Sequence, residues 1–176
     1  MHDEIYATTA QVEPFALYGA LSAALPEIHG AGLGLVQRGR FLVVRGKDTP
    51  RLPVEVRVNG RAVRLTFVDR VPLRPATRLR SPIVVVKTTG CGSGSPDFAA
   101  RVAAELDRQL AALAPTAKAT VGGGWPTVRV HGRRIVGVPV TVDCPPGDSI
   151  AIQVAGLGGK RSMGCGVFFP EGWQWP

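Results

Sequence analysis

A glycine-rich stretch near the C-terminus constrains the fold of this chain most strongly. Five glycines lie between positions 156 and 166, with Lys160 and Arg161 among them, and an apolar run ending at Phe169 follows. Glycine permits positive φ angles and close approach of two backbones, and successive backbone N–H groups form concavities that bind anions. The stretch therefore predicts a loop that holds phosphate groups, or else a flexible turn between two elements.

The two commonest phosphate-binding motifs do not match this stretch. A Walker loop requires a glycine five residues before its Gly-Lys pair and a Ser or Thr after it, whereas Val154 and Arg161 occupy those positions. A dinucleotide-binding fingerprint opens a long helix, but residues 167–169 are apolar and typical of a strand. An ATP or dinucleotide site at this loop is therefore disfavoured.

The chain carries a strong excess of positive charge. Its net charge is +8 over 176 residues, and 17 of its 21 cationic side chains are arginines. Twelve cations and three acids lie between Arg38 and Arg80. Arginine binds phosphate in a bidentate manner and stacks on bases, so this composition favours a polyanionic partner such as a nucleic acid. The alternative is an arginine-rich proteome in which the cations are merely solvated.

The sequence offers no pattern for a metal, a cofactor or a membrane span. Its three cysteines, Cys91, Cys144 and Cys165, form no Cys-x-x-Cys pair, and its three histidines are widely separated. No stretch approaches 18 consecutive apolar residues, and the N-terminus lacks the charged and apolar regions of a signal peptide. We therefore expect a cytoplasmic protein without membrane contact, metal or cofactor, whose cysteines are reduced and structural.

The second half of the chain predicts alternating strands and helices. A run of β-branched residues at 83–87 precedes Ser95-Pro96-Asp97, which is a typical helix start. An apolar stripe at helical spacing then covers 98–113. Further along, the sequence predicts a hairpin at residues 128–142. Residues 150–155 allow either a short helix, capped by Asp148 or Ser149, or a strand.

The first half is less regular. Apolar residues at helical spacing over 17–28 predict a helix that begins at Pro14. The segment 49–58 is ambiguous, because its valines alternate with charged residues, as they do in a strand. The Asn-Gly pair at 59–60 would then be the turn of a hairpin.

Four stretches together resemble one known family. They are residues 16–29, 132–137, 148–149 and 156–169. The last of them resembles the glycine-rich loop of the RAMP superfamily of CRISPR-associated proteins. The first resembles the N-terminal helix and histidine of the superfamily members that process CRISPR precursor RNA, in particular the Myxococcus-type subfamily.

The resemblance implies an α+β fold of two tandem ferredoxin-like domains, each with the βαββαβ order of RNA-recognition domains. We place the N-terminal domain at 1–75, a basic linker at 76–81 and the C-terminal domain at 82–176. The resemblance also implies that 49–58 is a helix ending at Gly60, and we adopt that helix over the strand.

The resemblance further implies a ribonuclease that works without a metal. In such an enzyme the RNA 2′-hydroxyl loses a proton, the departing 5′-oxygen gains one, and charge on the phosphate is stabilised. His29 aligns with the catalytic histidine of the family, and imidazole titrates near neutrality. Arg38 and Arg40, on the strands that follow His29, are the candidates for charge stabilisation.

Three groups of residues are expected to contact RNA, because A-form RNA is recognised largely through its backbone. They are Gly156, Gly158, Gly159, Lys160 and Arg161 in the glycine-rich loop, Arg129, His131, Arg133 and Arg134 in the hairpin, and Arg78 and Arg80 at the linker.

For function, the resemblance implies cleavage of CRISPR repeat stem-loops at the base of the stem, leaving 2′,3′-cyclic phosphate and 5′-hydroxyl ends. The implied partners are precursor and mature guide RNA and other subunits of a type I CRISPR interference complex. One alternative is a non-catalytic RNA-binding RAMP subunit that does not use His29. Another is a dinucleotide or cyclic-nucleotide binding domain, which the missing phosphate motifs disfavour.

Overall fold

The computed structural model of the chain describes residues 1–28, 31–46, 49–88 and 91–175. Over these residues each half of the chain forms an antiparallel sheet, and a separate two-stranded hairpin belongs to the second half. No helix in the described ranges is long and apolar enough to cross a bilayer.

The first half is a five-stranded sheet with one helix on one face. Its elements are β1 (His2–Thr8), α1 (Pro14–Ala24), β2 (Gly34–Arg38), β3 (Phe41–Gly46), β4 (Glu55–Val58) and β5 (Arg61–Pro72). The strand order is β2-β3-β1-β5-β4, and every neighbouring pair is antiparallel. Leu42, Val44 and Val63 belong to the core between this sheet and α1.

Helix α1 begins at the proline that the sequence predicted. The Glu13 carboxylate accepts a hydrogen bond from the Ala16 N–H at 3.1 Å, which satisfies one of the free donors of the first turn. Leu17 and Leu21 are buried on the sheet. A 3-10 turn, Pro26–Ile28, follows α1, because a proline cannot donate the hydrogen bond that a longer helix needs.

The helix adopted for 49–58 is wrong, and the strand interpretation of this segment is correct. Glu55–Val58 forms β4, which pairs with residues 61–64 of β5. Asn59 and Gly60 have φ angles of 49° and 80°, as a two-residue turn of this type requires. Alternate residues of β4 are buried, so the alternation of valines with charges determined the local structure.

The second half is a four-stranded sheet with two helices and an inserted hairpin. Its elements are β6 (Arg78–Val84), α2 (Phe98–Leu113), β7 (Lys118–Val121), β8 (Thr127–Val130), β9 (Arg133–Val136), β10 (Val138–Asp143), α3 (Pro146–Ala155) and β11 (Phe169–Pro170). The strand order is β11-β6-β10-β7, while β8 and β9 pair only with each other within the described residues. The hairpin is inserted between the second and third strands of the sheet.

Helix α2 confirms the predicted apolar stripe but begins later than the sequence indicated. Asp97 is its N-cap and Phe98 its first residue, so Pro96 lies in the turn before the helix. The side chains of Val102 and Leu106 are buried, as the spacing predicted.

Both halves have the sheet order of a ferredoxin-like domain, in which the first strand lies between the third and the fourth. The second half has both helices of the βαββαβ pattern. In the first half, β4 and its turn take the place of the second helix, and β5 is the fourth ferredoxin strand. The predicted fold class of tandem ferredoxin-like domains is confirmed.

The two sheets are joined by residues 73–77. Strand β6 begins at Arg78, so it takes up part of the 76–81 stretch that was predicted as a linker. The domain bounds of 1–75 and 82–176 stay a prediction.

A buried arginine joins the two halves. The Arg45 guanidinium donates two hydrogen bonds to the Asp3 carboxylate, at 2.6 and 2.7 Å. It also donates to the carbonyls of Gln153, at 3.2 Å, and Phe168. Its central carbon lies 4.7 Å from the centre of the Phe169 ring. Arg45 thereby connects β3 of the first sheet to α3 and the C-terminal segment of the second half.

Candidate nucleic-acid interface

The glycine-rich loop after α3 is packed tightly against its surroundings. Gly156 and Gly158 have φ angles of 64° and 75°, and a Cβ at either position would collide with a backbone carbonyl, that of Gly166 or of Val85. The Gly156 N–H donates to the carbonyl of Ile152 at 2.8 Å and so caps α3. Glycine is therefore required here for the shape of the loop.

The backbone N–H groups of this loop are used inside the protein. The Gly158 N–H donates to the side-chain carbonyl of Gln109 at 2.7 Å. The Gly159 N–H donates to the carbonyl of Val85 at 2.8 Å. A phosphate bound by these amides would have to replace those hydrogen bonds. The positive charge of the loop thus depends on side chains rather than on a concavity of free N–H groups.

The two cations of the loop differ in their surroundings. Lys160 is exposed, with a left-handed backbone conformation at φ 64°. Arg161 is half-buried, and its guanidinium donates to the carbonyl of Ala155 in the last turn of α3. A cation in this position stabilises the helix, because the carbonyls of the last turn are otherwise unpaired. Of the two, Lys160 is the side chain better placed to reach a ligand.

Two adjoining grooves run between the halves along the edge strand β2. Their volumes are about 710 and 440 Å³, and both are lined by Val36, Gln37 and Pro82. Strands β6 and β10 contribute to the larger groove, and hairpin β8–β9 contributes to the smaller one. We call this combined surface the arginine cleft, after the four arginines that line it, which are Arg38, Arg80, Arg129 and Arg134.

The arginines near the cleft differ in how far their charge is neutralised. A guanidinium nitrogen of Arg80 lies 2.6 Å from a carboxylate oxygen of Glu171. The guanidinium of Arg78, two residues earlier on β6, lies 3.5 Å from the Asp143 carboxylate and 3.6 Å from the Glu171 carboxylate. The other three cleft arginines form no ion pair with any described residue. The positive charge of the cleft is therefore concentrated on β2 and on the β8–β9 hairpin.

Hairpin β8–β9 rests on the first half of the chain. The register places Arg129 opposite Arg134, and both are exposed, as is Arg133. His131, at the tip, has a φ angle of 49°, and its ring packs edge to face on that of Phe15, 4.6 Å between centres. Since Phe15 belongs to α1, the predicted RNA-contacting arginines are held at the boundary between the two halves.

The principal catalytic candidate, His29, lies outside the described residues. On its N-terminal side Ile28 is buried, and on its C-terminal side Gly32 lines a small cavity together with Arg161. The chain therefore passes beside the glycine-rich loop just after the predicted catalytic position. Arg40, at the turn between β2 and β3, is exposed and does not line the arginine cleft.

Gln37 was not singled out from the sequence, yet it lines both grooves. Its amide nitrogen donates to the Thr8 hydroxyl at 3.0 Å and to the Ala10 carbonyl at 2.8 Å, and its carbonyl oxygen accepts from the Val12 N–H at 3.2 Å. These bonds fix the end of β2 that carries Arg38. The partners are 25 to 29 residues away along the chain, so no local pattern marked this glutamine.

Cysteine chemistry is disfavoured at this interface. Cys165 is fully buried in the glycine-rich loop, and burial raises the pKa of its thiol to about 12. The thiol is therefore neutral near pH 7, whereas a nucleophilic cysteine requires a thiolate.

Comparison with known proteins identifies the family. The family model described as Cas6 Crispr matches residues 52–172. A curated relative is the CRISPR-associated endonuclease Cas6 of Myxococcus xanthus (strain DK1622). The two sequences are 31% identical over an alignment of 179 residues, and the alignment covers 90% of this chain and 74% of the relative. The chain belongs to the Cas6 family. This confirms the family predicted from the glycine-rich loop and the N-terminal helix.

Solved structures extend the Cas6 likeness over nearly the whole chain. A crystal structure of Cas6b matches with a TM-score of 0.61 at 11% identity, covering 97% of this chain and 100% of that one. The CRISPR endoribonuclease Cse3 bound to 19 nt RNA matches with a TM-score of 0.52 at 17% identity, covering 95% of this chain and 98% of that one. At these identities the likeness shows the shared fold.

Proposed function

We propose that this Cas6-family protein is an endoribonuclease that cleaves the repeat stem-loops of CRISPR precursor RNA to give mature guide RNAs. The observation that carries the proposal is the 31% identity to the Myxococcus xanthus endonuclease over 90% of the chain. The arginine cleft supports it, because a concave surface lined by arginines suits a polyanion.

The proposed reaction is a transesterification within the RNA. The 2′-oxygen attacks the neighbouring phosphorus, the bond from phosphorus to the 5′-oxygen breaks, and a 2′,3′-cyclic phosphate and a 5′-hydroxyl are formed. The proton leaves the 2′-hydroxyl and a proton arrives at the 5′-oxygen, so no metal or cofactor enters the balance. A histidine suits either transfer, because its pKa lies near neutrality.

We assign one of these transfers to His29 and charge stabilisation to Arg38. Arg38 lines the cleft and forms no ion pair within the described residues, so its guanidinium is available to a phosphate. Arg40 is a weaker candidate, since it lies at the β2–β3 turn outside the cleft lining.

We assign RNA binding to the exposed cations that surround the cleft. Arg129, Arg133 and Arg134 would contact the backbone of the stem, and Lys160 would contact a phosphate close to the reacting one. Arg78 and Arg80 would contribute less, because carboxylates already lie beside their guanidinium groups. His131 packs on Phe15 and is exposed at the hairpin tip, where it would contact the RNA surface.

In the proposed role the protein acts in the cytoplasm and keeps its cleaved product. Binding distributed over many cations does not depend on the scissile bond, so the mature guide RNA would remain attached. The protein would then join other subunits of a type I CRISPR interference complex through this RNA.

The test is incubation of the protein with its own repeat RNA in excess EDTA, followed by analysis of the RNA ends. We expect one cut at the base of the stem, with 2′,3′-cyclic phosphate and 5′-hydroxyl termini. Tight, salt-dependent binding without any cut would instead identify a non-catalytic RNA-binding subunit. Cleavage abolished by EDTA would contradict the metal-independent mechanism.

A further inference from the structure

The first sheet is incompletely covered on the side of α1. A βαββαβ domain covers one face of its sheet with two helices, but here β4 and its turn replace the second one. The part of the face formed by β1 and β5 is therefore left beside a groove of about 500 Å³ instead of a helix. Strands β1 and β5, which line this groove, are two and three strands from the edge strand β2, or on the order of 10 to 14 Å.

The groove has an apolar floor and exposed apolar walls. Its floor contains Tyr6, Leu52 and Leu65, which are buried. Its walls include Val54, which is 68% exposed, and Phe67, which is 52% exposed with its ring packed edge to face on Tyr6 at 5.7 Å. Large apolar side chains exposed together in this way mark interaction surfaces more often than isolated ones do.

Counted over the described residues that line it, the polar rim of the groove carries a surplus of positive charge. Arg70 lies 2.6 Å from the buried Glu4 carboxylate, which also accepts a hydrogen bond from the Tyr6 hydroxyl at 2.8 Å. Arg70 and Glu4 thus neutralise each other. Burial, together with the hydrogen bond to Glu4, raises the pKa of Tyr6 to about 12, so its phenol is neutral. Arg51, exposed at the rim, supplies the remaining charge.

The geometry favours a helix over a strand as the occupant. Beyond Leu65 the outer edge of β5 has no partner strand among the described residues. On its inner edge, however, the register of β5 against β1 shifts by one residue at Val68, which forms a bulge. Such a bulge twists an edge and opposes the addition of another strand. Among the described residues no helix covers the sheet face beside it, and an amphipathic helix buries apolar residues at i, i+3 and i+4 in such a groove.

We propose that this groove docks an amphipathic helix of a partner protein, with apolar side chains seated between Val54 and Phe67 and an acidic side chain paired with Arg51. The site is distinct from the arginine cleft and goes beyond the proposed cleavage activity. The helix would supply the layer that the first domain lacks.

The test places the photoreactive amino acid benzoylphenylalanine at position 67 of the full-length protein, in cells of the organism that encodes it. The same amino acid at position 154, an exposed position on α3, is the matched control. We expect position 67, and not 154, to crosslink to one protein within a segment that has apolar residues at helical spacing and flanking Asp or Glu. A crosslink to RNA, to a second copy of this chain or to a segment of other chemistry would overturn the proposal, as would no crosslink.

A synthetic peptide of the crosslinked segment then tests the contacts. Its affinity should fall about tenfold or more for Phe67→Asp and for Arg51→Glu, and a peptide with Lys in place of its acid should regain affinity for Arg51→Glu. Unchanged affinity in both variants would contradict the assigned site. Repeat-RNA cleavage should be unchanged in both variants, which separates this proposal from the proposed function. Arg51 is an exposed side chain, so its variant remains informative if Phe67→Asp folds poorly.

Discussion

At the scale of single residues, Arg45 shows how a buried charge holds two domains together. It is 3% exposed, and its partners come from β1, α3 and the segment before β11. A buried ion pair contributes little net stability compared with apolar residues, but removing one partner leaves an uncompensated charge. The pair with Asp3 lies within the first sheet and holds the guanidinium whose other hydrogen bonds cross to the second half, so its loss should be costly.

We expect Asp3→Ala to lower the free energy of unfolding by about 3–5 kcal/mol, because the Arg45 guanidinium would stay buried without a carboxylate. Urea denaturation measures this loss. Glu55→Ala is the matched control, because the Glu55 carboxylate forms an exposed ion pair with the Arg64 guanidinium at 4.0 Å. That control should cost less than about 1 kcal/mol. Equal effects of the two variants would contradict the account of Arg45 as a buried charge that depends on the Asp3 carboxylate.

A second residue-scale prediction separates the two cations of the glycine-rich loop. Lys160→Ala should weaken repeat-RNA binding and reduce the salt slope of the affinity by roughly 0.7 to 0.9, the effect of one lost phosphate contact, without changing the melting temperature. Arg161→Ala should lower the melting temperature as well, because Arg161 donates to the carbonyl of Ala155. Filter binding over a range of salt concentrations and thermal denaturation measure both effects. An unchanged slope for Lys160→Ala would make the loop purely structural.

At the scale of elements, the β8–β9 hairpin is the part of the cleft best suited to follow an RNA stem. It is inserted between β7 and β10, pairs only with itself among the described strands, and presents three exposed arginines. Its fixed position on α1 means that its charges reach the cleft without rearrangement. Recognition of A-form RNA through shape and backbone requires such fixed positions.

We expect replacement of Arg129, Arg133 and Arg134 by Gln to weaken binding of the structured repeat more than binding of an unstructured single strand of equal length. The matched control replaces Arg57, Arg61 and Arg64, which are exposed on the β4–β5 hairpin, so that the same net charge is lost away from the cleft. Competition binding with both RNAs measures the difference. Equal losses in the two triple variants would indicate nonspecific electrostatic binding.

Individual elements also show which parts of the fold local sequence patterns predict correctly and which they do not. The apolar stripe of α2 and the Asn-Gly turn at 59–60 act locally, so the sequence predicted α2 and favoured a hairpin at β4. The helix predicted for 49–58 from family resemblance is wrong, because the alternation of valines with charged residues buries every second side chain of a strand there. At Ser95–Asp97 the capping residues were recognised, but the chain makes a turn before α2 begins at Phe98.

At the scale of the whole molecule, local sequence patterns did not predict how the two halves are arranged, because the contacts between them join residues far apart in the chain. The bonds from Arg45 to the carbonyls of Gln153 and Phe168 cross between the halves and span 108 and 123 residues. The same is true of the cleft, where Arg38 and Arg80 are far apart in the chain but line one groove, and the glycine-rich loop packs on β2. The fold class was nevertheless predictable, because the glycine-rich loop and α1 together mark the family.

We propose that the chain cuts repeat RNA through His29, and this assignment decides the mechanism. The most direct measurement compares single-turnover cleavage of repeat RNA by the parent and by His29→Ala, in EDTA and with protein in excess, after binding has been measured for both. We expect affinity to be nearly unchanged, because it comes from many separate cations, and the cleavage rate to fall by roughly 10² to 10⁴ with the loss of one proton-transfer group. Full single-turnover cleavage by His29→Ala would contradict the claim.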